Sequence, residues 1–183
     1  MKDELGVRGN IDKNVDETPV IQAPETYNCI DDFDRWLHDV YIPATRGDFT
    51  ECWGIFSAGG QFEKYYHVPF MQALTQEIEK DLKGKIMSHN HLTDSTFSVE
   101  DVKTWAGLKM RELRVVTATS RFSIKPRNGK WPLEEDVEKE MDRLTTQIKS
   151  ETFVTITPHQ LRDKCYKLMA KSGWFIYTKE KFV

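Results

Sequence analysis

The sequence predicts an α/β domain, a central mixed sheet flanked by helices. Three observations carry this. Short apolar or β-branched runs, bounded by Gly, Pro and Asp, read as strands. Longer stretches with apolar residues at helical spacing lie between them, so the two kinds of element are interleaved. The chain has 183 residues, 39% hydrophobic and 30% charged, which suits one domain with a real core.

The elements follow in order. Met1 to about Glu25 is polar and irregular, with Gly, Asn and Pro throughout, and reads as a loosely docked tail. The predicted division is a tail over residues 1–30 and one domain over residues 31–183. Phe33, Trp36, Leu37 and Val40 recur at helical spacing from Asp31 to Tyr41, with Pro43 expected to stop that helix. Phe49 to Phe56 and Gln61 to His67 read as a hairpin turning at Gly59-Gly60. Phe70, Leu74, Ile78 and Leu82 mark a helix from Pro69 to Leu82, closed by Gly84. Lys85 to His91 is the next strand, and Ser98 opens the next helix.

Leu113 to Thr119 is β-branched and can pair with Arg121 to Ile124 across Thr119-Ser120. Pro126 to Lys130 is a loop. A charged helix is predicted over Leu133 to Lys149 with Val137, Met141 and Leu144 inward. A short strand over Thr152 to Ile156, a helix over Pro158 to Ala170 and a last strand over Gly173 to Thr178 complete the chain.

Composition excludes several classes. The net charge of -3 leaves no basic footprint for nucleic acid. No apolar run approaches the ~20 residues of a membrane span. Met1 to Leu5 has no apolar core of a signal peptide. Cys29, Cys52 and Cys165 are odd in number and far apart, which predicts reduced thiols and a cytoplasmic setting. There is no Cys-x-x-Cys, which argues against zinc fingers and the zinc nucleobase deaminases.

The chemistry concentrates in Lys85-Ile86-Met87-Ser88-His89-Asn90-His91 and in Ser98-Val99-Glu100-Asp101. On a strand, His89 and His91 share a face. Asp101, three residues after the capping Ser98, falls in the first helical turn and can face the strand end. Two imidazoles and a carboxylate then converge, a ligand set suited to zinc with its fourth position open. Each part alone is weak. His-x-His is common, and Ser-x-x-Asp is ordinary helix capping. The combination on a strand-loop-helix unit is the stronger signal. Asn90 should point to the opposite face and take no part in the chemistry. His38, His67 and His159 read as structural or surface histidines.

The run from His89 to Asp101 resembles the JAMM (MPN/JAB) zinc metallopeptidase motif, His-x-His-Pro, a loop, then Ser-x-x-Asp. The short loop and the Asn between the histidines look like the variant in phage head-morphogenesis-type and related bacterial proteins. Leu92 stands where the family has proline. The resemblance covers roughly Thr50 to Pro126, and it implies a JAMM-like, cytidine-deaminase-like domain. It also implies Zn2+ held by His89, His91 and Asp101, and a peptidase or isopeptidase activity. The implied partner is a protein or peptide substrate, with ubiquitin-like conjugates among the class, in the host cytoplasm if the chain is phage-encoded. In that family a glutamate on an upstream strand is the general acid/base. Glu51 matches its order of strand and turn, with Glu63 as the rival. Ser98 is implied as a donor to the oxyanion of the tetrahedral intermediate. A second class stays open: a non-catalytic JAMM-fold binding or structural module, favoured by Leu92.

Overall fold

A computed structural model of the protein describes residues 21, 24–45, 50–69, 75–151 and 155–182. The architecture is α/β. Six strands form one mixed sheet in the order β2-β1-β3-β4-β5-β6. They are β1 (Thr50–Phe56), β2 (Phe62–Pro69), β3 (Ile86–Asn90), β4 (Glu112–Val116), β5 (Ser120–Pro126) and β6 (Phe175–Lys181). Among these described strands only β3 and β4 pair in parallel, and the helix between them makes the crossover. All five residues of β3 are buried, as befits a central strand covered on both faces.

The helices divide between two cores. On one face lies α1 (Ile30–Trp36), continued by a π-helical turn over Leu37–Tyr41 and by α2 (Ile42–Ala44). Ile30, Phe33, Leu37 and Tyr41 pack there against Cys52, Phe56, Ile86 and Val116. Tyr27 joins them, with its ring 5.0 Å from those of Phe33 and Phe62. On the other face lie α3 (Gln76–Leu82), α4 (Val99–Gly107), α5 (Glu134–Glu151) and α6 (Pro158–Lys171). Their larger core gathers Leu82, Trp105, Met141, Tyr166 and Met169 over Ile55, Met87, Val115 and Phe122. Residues of β1, β3 and β4 alternate between these two cores.

Buried charge ties α1 to the sheet. Asp34 is fully buried; it accepts from the Ser88 hydroxyl and pairs with Arg114 at 2.8 Å and Arg121 at 3.1 Å. Arg114 also meets Asp31 and Glu112. Burial pushes the Asp34 carboxyl above its ordinary pKa, against the pull of Arg114. Where Gly54 faces α1, the Phe33 ring occupies the space a Cβ would take.

Several expected boundaries differ. Pro43 does not stop the first helix, because the wider π turn ahead of it puts Pro43 in the first turn of α2, where no amide is required. Pro69 ends β2 rather than opening a helix; α3 starts at Gln76, capped by the Thr75 hydroxyl, and residues 70–74 lie outside the described residues. Of the strand expected over Thr152 to Ile156, residues 152–154 lie outside the described residues, and Thr155 and Ile156 are in no strand. β6 runs on to Lys181 because its full length pairs with β5, which outweighs its polar composition. The expected tail falls mostly on residues 1–20, outside the described residues. No helix among the described residues is long and apolar enough to cross a membrane.

Candidate metal centre

The site is assembled where β3 ends. His89 is the fourth residue of β3, and His91 follows the strand directly, its amide still donating to the Val116 carbonyl of β4 at 2.9 Å. Both rings therefore leave the same face, the α4 side. After six intervening residues Ser98 caps α4. Its hydroxyl accepts from the Asp101 amide at 3.0 Å, and the Asp101 carboxylate accepts from the Ser98 amide at 2.7 Å. This reciprocal box satisfies two amides that the helix start leaves free. It also aims the carboxylate back at the strand end.

The three side chains meet. The two Nε2 atoms are 3.1 Å apart. Asp101 lies 3.4 Å from His91 Nε2 and 4.0 Å from His89 Nε2. One ligand atom from each residue falls within 4.8 Å of the others. His89 is buried, whereas the Asp101 side chain keeps 24% of its surface exposed, so the cluster opens to solvent on the α4 side.

Tautomers follow from the partners. His91 Nδ1 lies 3.2 Å from the Ser95 carbonyl, which can only accept, so Nδ1 carries the hydrogen and neutral His91 keeps a lone pair on Nε2. The Ser95 hydroxyl sits at the same distance and is itself steadied by Thr93. Nδ1 of His89 is buried with no hydrogen-bond partner among the described residues, although the Arg114 backbone lies near enough to favour a charge on the ring.

The electrostatics are those of a tight mixed cluster. Burial pushes His89 down to about 4, with Asp101 pulling the other way. Burial would lower His91 as well, but the Asp101 bond and charge, with help from Glu51, raise it. Burial would raise Asp101, yet His91, His89 and the Ser98 amide hold it well below the usual carboxylate range.

Glu51 is the second residue of β1 and shares a face with Trp53 and Ile55, toward the same core as His89. Trp53 is the register partner of His89. Burial raises Glu51 above its ordinary pKa, against lowering by His91 and by the Trp53 indole, and nearby Asp101 raises it further. Glu63 sits on β2, paired with Lys85, away from the cluster. His67 pairs with the Tyr41 hydroxyl on the opposite face, His38 stacks on Phe182, and His159 meets Arg162.

Two features were not legible from spacing. The β1–β3 ladder stops at Trp53↔His89, and beyond it the Asn90 side-chain oxygen accepts from the Cys52 amide at 2.7 Å. Asn90 does face away from the cluster, yet it ties the strand of Glu51 to the strand of the histidines. Tyr166 of α6 donates to the Ser98 carbonyl at 3.0 Å and braces the start of α4. Neither carries a local signal, since each bond joins residues distant in sequence.

Comparison with family models, with curated proteins and with solved structures finds no match to this chain.

Proposed function

We propose that the chain is a zinc-dependent peptidase or isopeptidase with a JAMM-like site. The convergence of His89, His91 and Asp101 carries the reading. The donor set fits: nitrogens held at ~2.0–2.1 Å by one tetrahedral zinc stand roughly 3.3 Å apart, close to the 3.1 Å between the two Nε2 atoms. Three protein ligands with a face open to solvent are the pattern of a catalytic rather than a structural site. The Ser95 bond orients the His91 ring for this, as partners of metal-bound imidazoles do. Bound zinc would supply a Lewis acid that acidifies water and polarises a carbonyl.

The chain's own residues supply the rest. Glu51 takes a proton from the attacking water and returns it to the leaving amine. The Ser98 oxygen accepts from the Asp101 amide, so its O–H stays available to donate to the developing oxyanion. The substrate class is a peptide or isopeptide bond in a protein, ubiquitin-like conjugates included.

Leu92 favours the second reading, a binding module without turnover, because it puts an exposed apolar side chain beside His91. One experiment separates the two. Zinc content is measured in wild type and Glu51→Gln, and both are incubated with a panel of peptides and ubiquitin-like conjugates. The expected result is one zinc per chain in both, with turnover reduced ~10²–10⁴-fold in Glu51→Gln. Wild type that stays metal-free in excess zinc overturns the reading.

A further inference from the structure

We propose that Trp53 is the positioning residue for Glu51, an inference that rests on the hydrolase reading above. The two side chains leave β1 on one face, two residues apart, so their Cα atoms are about 6.6 Å apart at ~3.3 Å per residue. The indole Nε1–H donates to Glu51 Oε2 at 3.1 Å. An indole nitrogen only donates, so this bond takes one carboxylate oxygen and leaves Oε1 for the water and the leaving amine.

The donor is itself held in place. Trp53 is the register partner of His89, its ring stands edge-on to the His89 ring at 70° with centroids 6.3 Å apart, and it packs against the larger core. The need for such a restraint is visible in the charges. Asp101 is a like charge close enough to Glu51 to disfavour its carboxylate form. A glutamate without that restraint would swing on its rotatable bonds. A displacement of 1 Å at a reacting group costs about 10²-fold in rate. The indole bond holds the carboxylate on the strand side of the cluster, where it serves the water without ligating the ion.

The test has two arms. In the metal-free full chain, the five tryptophans give five indole N–H resonances, and Trp53→Phe identifies one of them. That resonance is expected to move in Glu51→Ala, which removes the acceptor, while the other four stay. A resonance that does not move shows that the bond is absent and overturns the proposal. In the zinc-loaded protein, Trp53→Phe is expected to keep its zinc and its KM and to lose about tenfold to a hundredfold in kcat, the worth of one hydrogen bond to a charged group. Unchanged kcat, or loss of zinc in step with kcat, overturns it as well, since either would leave Trp53 as packing alone. Wild type without zinc or turnover removes the hydrolase reading instead, and the metal-free spectrum still decides whether Trp53 holds Glu51.

Discussion

Gly54→Ala tests how tightly α1 is seated behind the candidate site. A Cβ built on Gly54 falls within 2.8 Å of three atoms of the Phe33 ring, Cε1, Cζ and Cδ1. Ordinary contact needs at least 3.4 Å. Phe33 has nowhere to go. It is fully buried, with the rings of Tyr27, Trp36, Phe56 and Phe62 around it at centroid distances between 5.0 and 6.3 Å. Overpacking of this kind costs about 1–3 kcal/mol. Replacing glycine where the backbone needs no positive φ returns about 0.4–1 kcal/mol through the unfolded chain. The clash is close to the whole ring edge, so the upper half of the range applies, and the net loss is about 2 kcal/mol. With a urea m-value of about 2 kcal/mol/M, the midpoint falls by about 1 M. The cause is checked by Gly54→Ala with Phe33→Leu, which frees the space. The double variant should be more stable than the sum of the single losses predicts, by about 1 kcal/mol. An unchanged midpoint in Gly54→Ala, or strict additivity in the double variant, refutes the packing argument.

The other predictions concern the site and its supports. Ser98→Ala should cost about 1 kcal/mol of stability through loss of the hydroxyl that caps the Asp101 amide, read by urea unfolding, while the Ser98 amide, which the substitution keeps, still holds the Asp101 carboxylate. Zinc at 100 times its Kd should stabilise wild type by ~2.7 kcal/mol and leave His91→Ala unmoved, measured as a shift in thermal unfolding. Asp34→Ala should cost about 1–3 kcal/mol, since it leaves the buried Ser88 hydroxyl without its acceptor, while Arg114 keeps Asp31 and Glu112 and Arg121 keeps Asp31. For Asp94, burial pulls the pKa up, but bonds from the Thr117 and Thr119 hydroxyls hold it below the ordinary ~3.9. Its contribution is therefore present above that value and lost as the pH falls through the lowered one. Asp94→Asn should be less stable than wild type near neutral pH and converge with it in strong acid, compared by urea midpoints.

Much of the fold was legible because its signals are local. The Gly59-Gly60 turn, the helix-ending Gly84 with φ of 71° and the capping Ser98 each act within a few residues of themselves. The meeting of His89, His91 and Asp101 was legible for the same reason, since strand alternation and a helix cap dictate it. The π turn before Pro43 was not, because apolar spacing reads much the same through a widened turn. Nor was the length of β6, where Lys179, Glu180 and Lys181 look like a surface tail until β5 supplies their backbone partners. The two ties that frame Glu51 were hidden for opposite reasons. Asn90 acts through a backbone amide that no composition reveals. Trp53 reads first as an apolar strand residue, and its one polar atom is easily passed over.

The three candidate ligands are not equally committed to the metal. Asp101 is employed whether or not an ion is bound, since the start of α4 depends on its carboxylate. His91 is anchored to the Ser95 loop. His89 has no such second employment: its Nδ1 is unpartnered among the described residues, and its ring is buried at the expense of its charge. On the zinc reading proposed above, a form of the chain without the ion would still need the aspartate for its helix and would have no such need of His89. On that reading His89 is therefore the residue whose only use is the ion, and Asp101 one that its helix needs in any case.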